Sequence, residues 1–270
     1  MPKNSPLTDT IYRHLENMMA KPHSPKNLEL MLRLLGKWRS RVIQNTLLNK
    51  DGKVVLSGVF KGMTFIENSS EGCHVPKLIG SYEQPIHPFI EAAIKKEHPI
   101  VINIGCAEGY YAVGLATRMP KTKVHAYDID ARARETCRNL AEQNDVTDQI
   151  IIDELFQPEM FAEYDKKNAL VVCDIEGAEK GMLDPAISPA LKSMDIIVEC
   201  HEEFVPGITA LLIERFQPSH TCTLVDDIGN RNIEEPSWIK PLGHMDQLLA
   251  TWEWRGKATP WLILTQRTDG

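Results

Sequence analysis

Residues 100–116 read IVINIGCAEGYYAVGLA. A short apolar strand pattern runs into a glycine-bearing turn and then straight into a helical pattern. Gly105 and Gly109 free the backbone for a tight turn and for close approach to a ligand. The first residues of the helix offer N–H groups with no partner of their own. The turn has neither the third glycine of a GxGxxG fingerprint nor the lysine of a P-loop. It therefore suits a compact aminoacyl ligand better than a diphosphate. Asn103, Cys106, Ala107 and Tyr110 share the turn and are candidate ligand contacts with the two glycines. Cys106 reads two ways, as a reactive thiolate or as the small residue a tight turn demands, and the second is preferred.

The same rhythm continues downstream. KVHAYDID (123–130) is a second strand, ARARETCRNLAEQN (131–144) a helix, and QIIID (149–153) a third strand. ALVVCDIEG (169–177) and MDIIVECH (194–201) are the fourth and fifth. ITALLIERF (208–216) follows Pro206 as a helix, and TCTLVDD (221–227) and PWLILTQR (260–267) are two late strands. Apolar strands separated by charged helices predict an α/β fold, with a mostly parallel seven-stranded sheet covered on both faces. The late pair predicts an antiparallel last strand, which disfavours a second dinucleotide-binding half. Residues 227–256, with Trp238, Trp252 and Trp254, are expected as an insertion whose aromatics pack rather than cage a ligand.

Upstream, residues 7–20 and 26–48 are expected as helices separated by Pro22 and Pro25. The second carries Leu28, Met31, Leu32, Leu35, Trp38, Val42 and Ile43 at helical spacing. VVLSGVFKGMTFI (54–66) is expected as one or two strands, in a hairpin bent at Gly58 or Gly62. Residues 69–87 read as a loop able to cover a site, with His74 and His87 as polar surface sooner than acceptor contacts. Pro88 opens a helix that reaches residue 97. Residues 1–87 are thus set apart, as a helical and hairpin extension serving as lid or homodimer element, from a domain at 88–270.

The 270 residues carry 30 Lys and Arg against 37 Asp and Glu, a formal charge of -7. That balance argues against a nucleic-acid partner held through its phosphates. Lys37, Arg39 and Arg41 read as a solvated helix end sooner than an RNA patch. No stretch is long and apolar enough to suggest a membrane span, and MPKNSPLTDT lacks the apolar segment of a signal peptide. A cytoplasmic protein is expected. None of the six cysteines forms a CxxC pair, and no metal site is assigned.

Asp128 stands 23 residues after Gly105, where a strand-end carboxylate can accept both ribose hydroxyls of an adenosine. Ile129 lies beside it. Asp130 is expected to cap the next helix. Asp153 ends the third strand and either borders an adenine or serves as a turn residue.

NIGCAEGYYAVGLA, AYDID and CDIEGAE, in that order, resemble class I S-adenosylmethionine methyltransferases. DIEGAE (174–179) followed by IIVECH (196–201), with KLIGSYEQPI (77–86) upstream, is more specifically similar to the FkbM-type methyltransferase family. The resemblance covers roughly residues 75–205. It implies a Rossmann-like methyltransferase fold that binds S-adenosyl-L-methionine at Gly105, Ala107, Gly109 and Asp128. Asn103 stands where the family often has an acidic residue. It can hydrogen-bond the methionine amine or a water but cannot pair with the amine as a carboxylate does. Members are mostly similar to O-methyltransferases of small molecules or sugars, which implies a small-molecule acceptor.

Doubly wound sheets place ligands at the C-terminal ends of their strands. Asp174 and Glu176 follow the fourth strand there, and His201 follows the fifth. Asp174 is expected to face both the cofactor's methylsulfonium and the acceptor, and Glu176 to orient the acceptor or the cofactor amine. His201 is the candidate proton acceptor for a hydroxyl, oriented by Glu199 or Glu202. Helix capping and loop bonding are the plainer alternatives for all three. Metal assistance by Asp174, Glu199 and His201 ranks below imidazole catalysis, because no compact motif joins them. The competing functions are methylation of nitrogen on a small molecule, RNA or protein, and donor binding without catalysis. A nicotinamide-dependent reductase ranks last.

Overall fold

Seven strands carry the molecule: β1 (Ile100–Ile104), β2 (Lys123–Tyr127), β3 (Ile150–Asp153), β4 (Ala169–Cys173), β5 (Asp195–Glu199), β6 (His220–Val225) and β7 (Trp261–Gln266). The computed structural model describes residues 5–66, 73–257 and 259–267. The strands pair in the order β3-β2-β1-β4-β5-β7-β6. Neighbours among β1 to β5 run parallel, and β7 runs antiparallel to both β5 and β6. This is the expected Rossmann-like methyltransferase sheet, with the last strand reversed. β4 is buried along its whole length, as helices on both faces require. β6 sits at the edge and buries only His220 fully.

Nine helices flank the sheet: α1 (Pro6–Met19), α2 (Pro25–Asp51), α3 (Val75–Ile79), α4 (His87–Lys96), α5 (Tyr110–Arg118), α6 (Ala131–Gln143), α7 (Glu179–Met182), α8 (Ile208–Phe216) and α9 (His244–Thr251), counted among the described residues. Ser5 and Ser24 cap α1 and α2 by accepting from Thr8 N and Asn27 N, with proline just inside each helix. Side chains alternate across the sheet. Val101 and Val172 enter one core with Ile43, Phe60 and Leu78, while Ile102 and Val171 enter another with Leu212 and Phe216.

Two upstream expectations need correction. Residues 54–66 form no continuous strand, although the segment does turn back on itself: Val54 and Thr64 make an antiparallel bridge, Val55 N donates to Met63 O and Gly62 N to Val55 O. Their apolar residues serve mainly for burial. Phe60 and Phe65 are fully buried, and Phe60 lies over Gly114, where a Cβ would come within 2.6 Å of its ring. The segment read as a covering loop contains α3, all five of whose residues are buried; residues 69–72 of it lie outside the described residues. His74 is buried rather than surface polar, and burial near Lys77 lowers its pKa to about 4.

The apolar stripe of α2 is only partly used within the chain. Ile43 and Leu47 enter the core, whereas Leu28 and Leu32 are exposed. The insertion between β6 and β7 folds back on α2. Arg39 makes a two-pronged bond to Asp246 at 2.7 and 2.6 Å, and Lys37 and Arg41 lie over the Trp254 ring. No helix among the described residues is long and apolar enough to cross a membrane.

Candidate active site

The turn after β1 is held from below by Tyr127. Its carbonyl accepts from both Gly105 N and Cys106 N at 2.9 Å. Gly105 has φ +78°, and a Cβ there would come within 1.7 Å of the Asp174 carbonyl oxygen. The loops after β1 and β4 therefore touch backbone to backbone, a contact only glycine permits. Gly109 allows close packing: its Cβ would meet Cys137 Sγ at 2.7 Å, so α5 and α6 close on each other there. Asp128 ties the turn to β2. Its Oδ2 accepts from Ala107 N and its Oδ1 from Asp130 N, both at 2.8 Å. Each oxygen keeps a lone pair for a ribose hydroxyl.

A cleft of about 380 Å³ opens over these loops. Gly105, Ala107, Asp128, Ile129, Phe156 and Asp174 line it, with Glu176 at the rim of the β4 loop. Asn103, Cys106, Gly109, Tyr110 and Asp153 stand outside that lining. Asn103 points within the sheet, donating from Nδ2 to Val172 O, while its Oδ1 has no hydrogen-bond partner among the described residues. Cys106 is buried and its thiol pushed far up, chiefly by Cys137, which removes a thiolate from consideration. Tyr110 sits edge-on to Phe60, Phe65 and Tyr82. Asp153 accepts from Glu154 N, and the adjoining Glu154, Leu155 and Phe156 take the cleft wall. Asp130 caps α6 through Arg132 N, as expected.

The ends of β4 and β5 bring Asp174 and His201 together. His201 Nε2 lies 3.5 Å from Asp174 Oδ1 and 3.8 Å from Glu199 Oε2. Its Nδ1 is bonded to Glu179 Oε1 at 2.7 Å. Glu202 is turned away and caps α8 through Gly207 N and Thr209 N. Behind the trio, Arg255 pairs with Glu83, Glu199 and Glu253, and Tyr111 and Thr259 donate to Glu83 and Glu199.

Residues 89–173 match the family model described as "Methyltransferase small domain". That match covers the strand, turn and helix of the donor cleft and runs to the end of β4. Over those residues the chain carries a methyltransferase domain. No curated protein matches it. Solved structures of similar shape include an O-methyltransferase from Bacillus cereus in complex with SAH, at 12% identity and TM-score 0.45 over 99% of this chain and 93% of that one. A human methyltransferase 10 domain containing protein gives 15% and 0.49 over 85% and 96%. An rRNA methylase from Streptococcus thermophilus gives 12% and 0.48 over 68% and 97%. Likeness at that level carries no argument about the acceptor.

The chain gathers more carboxylates at this end than cations. Burial, with Glu199 and Glu83 nearby, holds Asp174 well above the usual carboxylate range. Its side chain is 33% exposed, but Oδ1 itself is shielded and has no hydrogen-bond partner among the described residues. Burial also pushes Glu83 up to about 7, against the pull of Arg255. Burial alone would lower the His201 imidazole, yet the Glu179 bond and the Glu199 charge outweigh it and raise it. The site can thus take up positive charge or a proton, and it can hold a small polar group against the donor. Sequence reasoning passed over Glu83, Glu179 and Arg255. Glu179 carries a weak signal, as the second glutamate of DIEGAE. Arg255 carries none, because 172 positions separate it from Glu83.

Proposed function

We propose that this chain moves the methyl group of S-adenosylmethionine to a hydroxyl oxygen of a small molecule. The observation that carries the reading is the imidazole and carboxylate pair, His201 and Asp174, at the end of the donor cleft. The donor is already electrophilic, so the protein's task is alignment and preparation of the nucleophile. In this reading Asp128 and Ile129 hold the adenosine, and Gly105 and Ala107 border the aminoacyl part. Asp174 faces the methyl group, and Asp174 and His201 together take the hydroxyl proton. Glu176, exposed at the rim, orients the acceptor. Residues 1–87 wall the acceptor side through Glu83, ahead of the domain at 88–270. The FkbM-type assignment and a cytoplasmic setting belong to the same reading. An RNA acceptor is disfavoured because Lys37, Arg39 and Arg41 are engaged by Trp254 and Asp246 of the same chain.

The test is transfer of labelled methyl groups to pools of hydroxyl metabolites, amines, RNA and protein. Label in a small hydroxyl compound is expected, with turnover falling about 100-fold or more in His201→Ala and Asp174→Asn, the scale of general-base loss. Label appearing only in amines, RNA or protein would overturn the hydroxyl assignment.

A further inference from the structure

Three donor atoms converge at the ends of β4 and β5. Asp174, Glu199 and His201 each offer one, and all three atoms lie within 4.8 Å of one another. Ligands about 2.1 Å from an ion stand about 3.0 Å apart when adjacent and about 4.2 Å apart when opposite. The 3.5 and 3.8 Å separations from His201 Nε2 fall inside that span. We propose that Asp174, Glu199 and His201 form a binding site for one divalent first-row cation.

The far side of two ligands is already fixed. His201 Nδ1 is held by Glu179, a carboxylate that is itself fully buried. That bond places the proton on Nδ1 and turns the Nε2 lone pair toward the two carboxylates, the arrangement found behind metal-bound imidazoles. Glu199 spends Oε1 on Arg255 and Thr259, leaving Oε2 facing His201. The His201 side chain is only 7% exposed, and its Nε2 faces Asp174 Oδ1 and Glu199 Oε2. Asp174 Oδ1 is a shielded atom without a hydrogen-bond partner among the described residues. That atom lacks the partner buried polar groups ordinarily have, and a cation shared with His201 Nε2 and Glu199 Oε2 would supply it. One imidazole with two carboxylates favours Mn²⁺ or Zn²⁺ over Mg²⁺, because nitrogen suits the later metals. The ion deepens the proposed transfer. With it bound, His201 would serve as a ligand in place of its proton-accepting role, and the cation would lower the pKa of an acceptor hydroxyl so that its proton passes to water.

Binding is measured on the full chain without methyl donor or acceptor, so its outcome is independent of the hydroxyl assignment. After chelator treatment and dialysis, MnCl₂ is titrated and free Mn²⁺ followed by electron paramagnetic resonance. One site per chain is expected, at least tenfold tighter for Mn²⁺ than for Mg²⁺. Affinity should fall tenfold or more in His201→Gln and Asp174→Asn, and stay unchanged in Glu135→Gln on the far surface of α6. Zinc X-ray absorption on the unaltered protein keeps the proposal testable if the variants fail to fold. A shell of nitrogen and oxygen near 2.0–2.2 Å is expected. Absence of Mn²⁺ and Zn²⁺ binding, affinity unaltered in both folded variants, or a sulfur shell from Cys200 or Cys173 would overturn it.

Discussion

Gly105 and Asp128 show how single residues shape the donor cleft. Gly105→Ala would place a methyl group 1.7 Å from the Asp174 carbonyl oxygen, at φ +78°. We expect unfolding in urea to show a loss of about 3 kcal/mol or more, the range of severe backbone conflicts. Donor binding should be lost with it, since the β1 and β4 loops must separate. Asp128→Asn is gentler. One oxygen remains to accept from Ala107 N or Asp130 N, but the charge that strengthens bonds to ribose is gone. Titration calorimetry should show S-adenosylmethionine binding about tenfold or more weaker, the value of a charged hydrogen bond, with the urea midpoint little changed.

Between elements, two arginines tie the insertion to the rest of the chain, and their burial separates their effects. Arg39 joins α2 to α9 through Asp246 while 36% exposed. Water screens that pair, so Arg39→Ala should cost about 1 kcal/mol or less. Arg255 is 22% exposed and faces Glu83 and Glu199, exposed by 1% and 2%. Arg255→Met strands two buried carboxylates and should cost about 3–5 kcal/mol in urea unfolding, as for breaking a buried pair. Equal losses for both variants would contradict this distinction. The helices themselves were readable from their patterns: Ser5-Pro6 and Ser24-Pro25 announce α1 and α2. The strands expected over 54–66 failed for a physical reason. Alternating apolar residues suit a half-buried strand and a buried irregular segment alike, and Phe60 and Phe65 pack onto Gly114 and Tyr110 of α5.

Across the whole molecule, acid stability should carry the mark of Asp195 at the start of β5. Burial would raise its pKa, but bonds from His98 and Lys96 outweigh it and lower it to about 2 from the ordinary 3.8. Because the folded value lies below the unfolded one, the stabilisation is fully present above pH 3.8 and fades as pH falls toward 2. Its size is about 2 kcal/mol. Urea midpoints measured from pH 6 to pH 2 should therefore fall more steeply for the natural chain than for Asp195→Asn. Parallel acid limbs would refute this. The cleft that Gly105, Ala107 and Asp128 line was legible at this scale too, because the three lie within one strand, helix and strand unit. The acceptor side was legible only in parts: Asp174, Glu176 and His201 at strand ends, without their partners.

Hydrophobic periodicity and the glycine turn set the sheet, its reversed last strand and the donor cleft, because each depends on neighbours close along the chain. Nothing local joins Lys77 to Glu108, His201 to Glu179 or Arg255 to Glu83, pairs separated by 31, 22 and 172 positions. Charged residues of those types most often face water, and their own sequence carries no sign of burial. Packing α3 and the insertion against the strand ends excludes that water. It then forces each carboxylate to find an arginine, a lysine, an imidazole or a cation, and so turns scattered polar residues into a site.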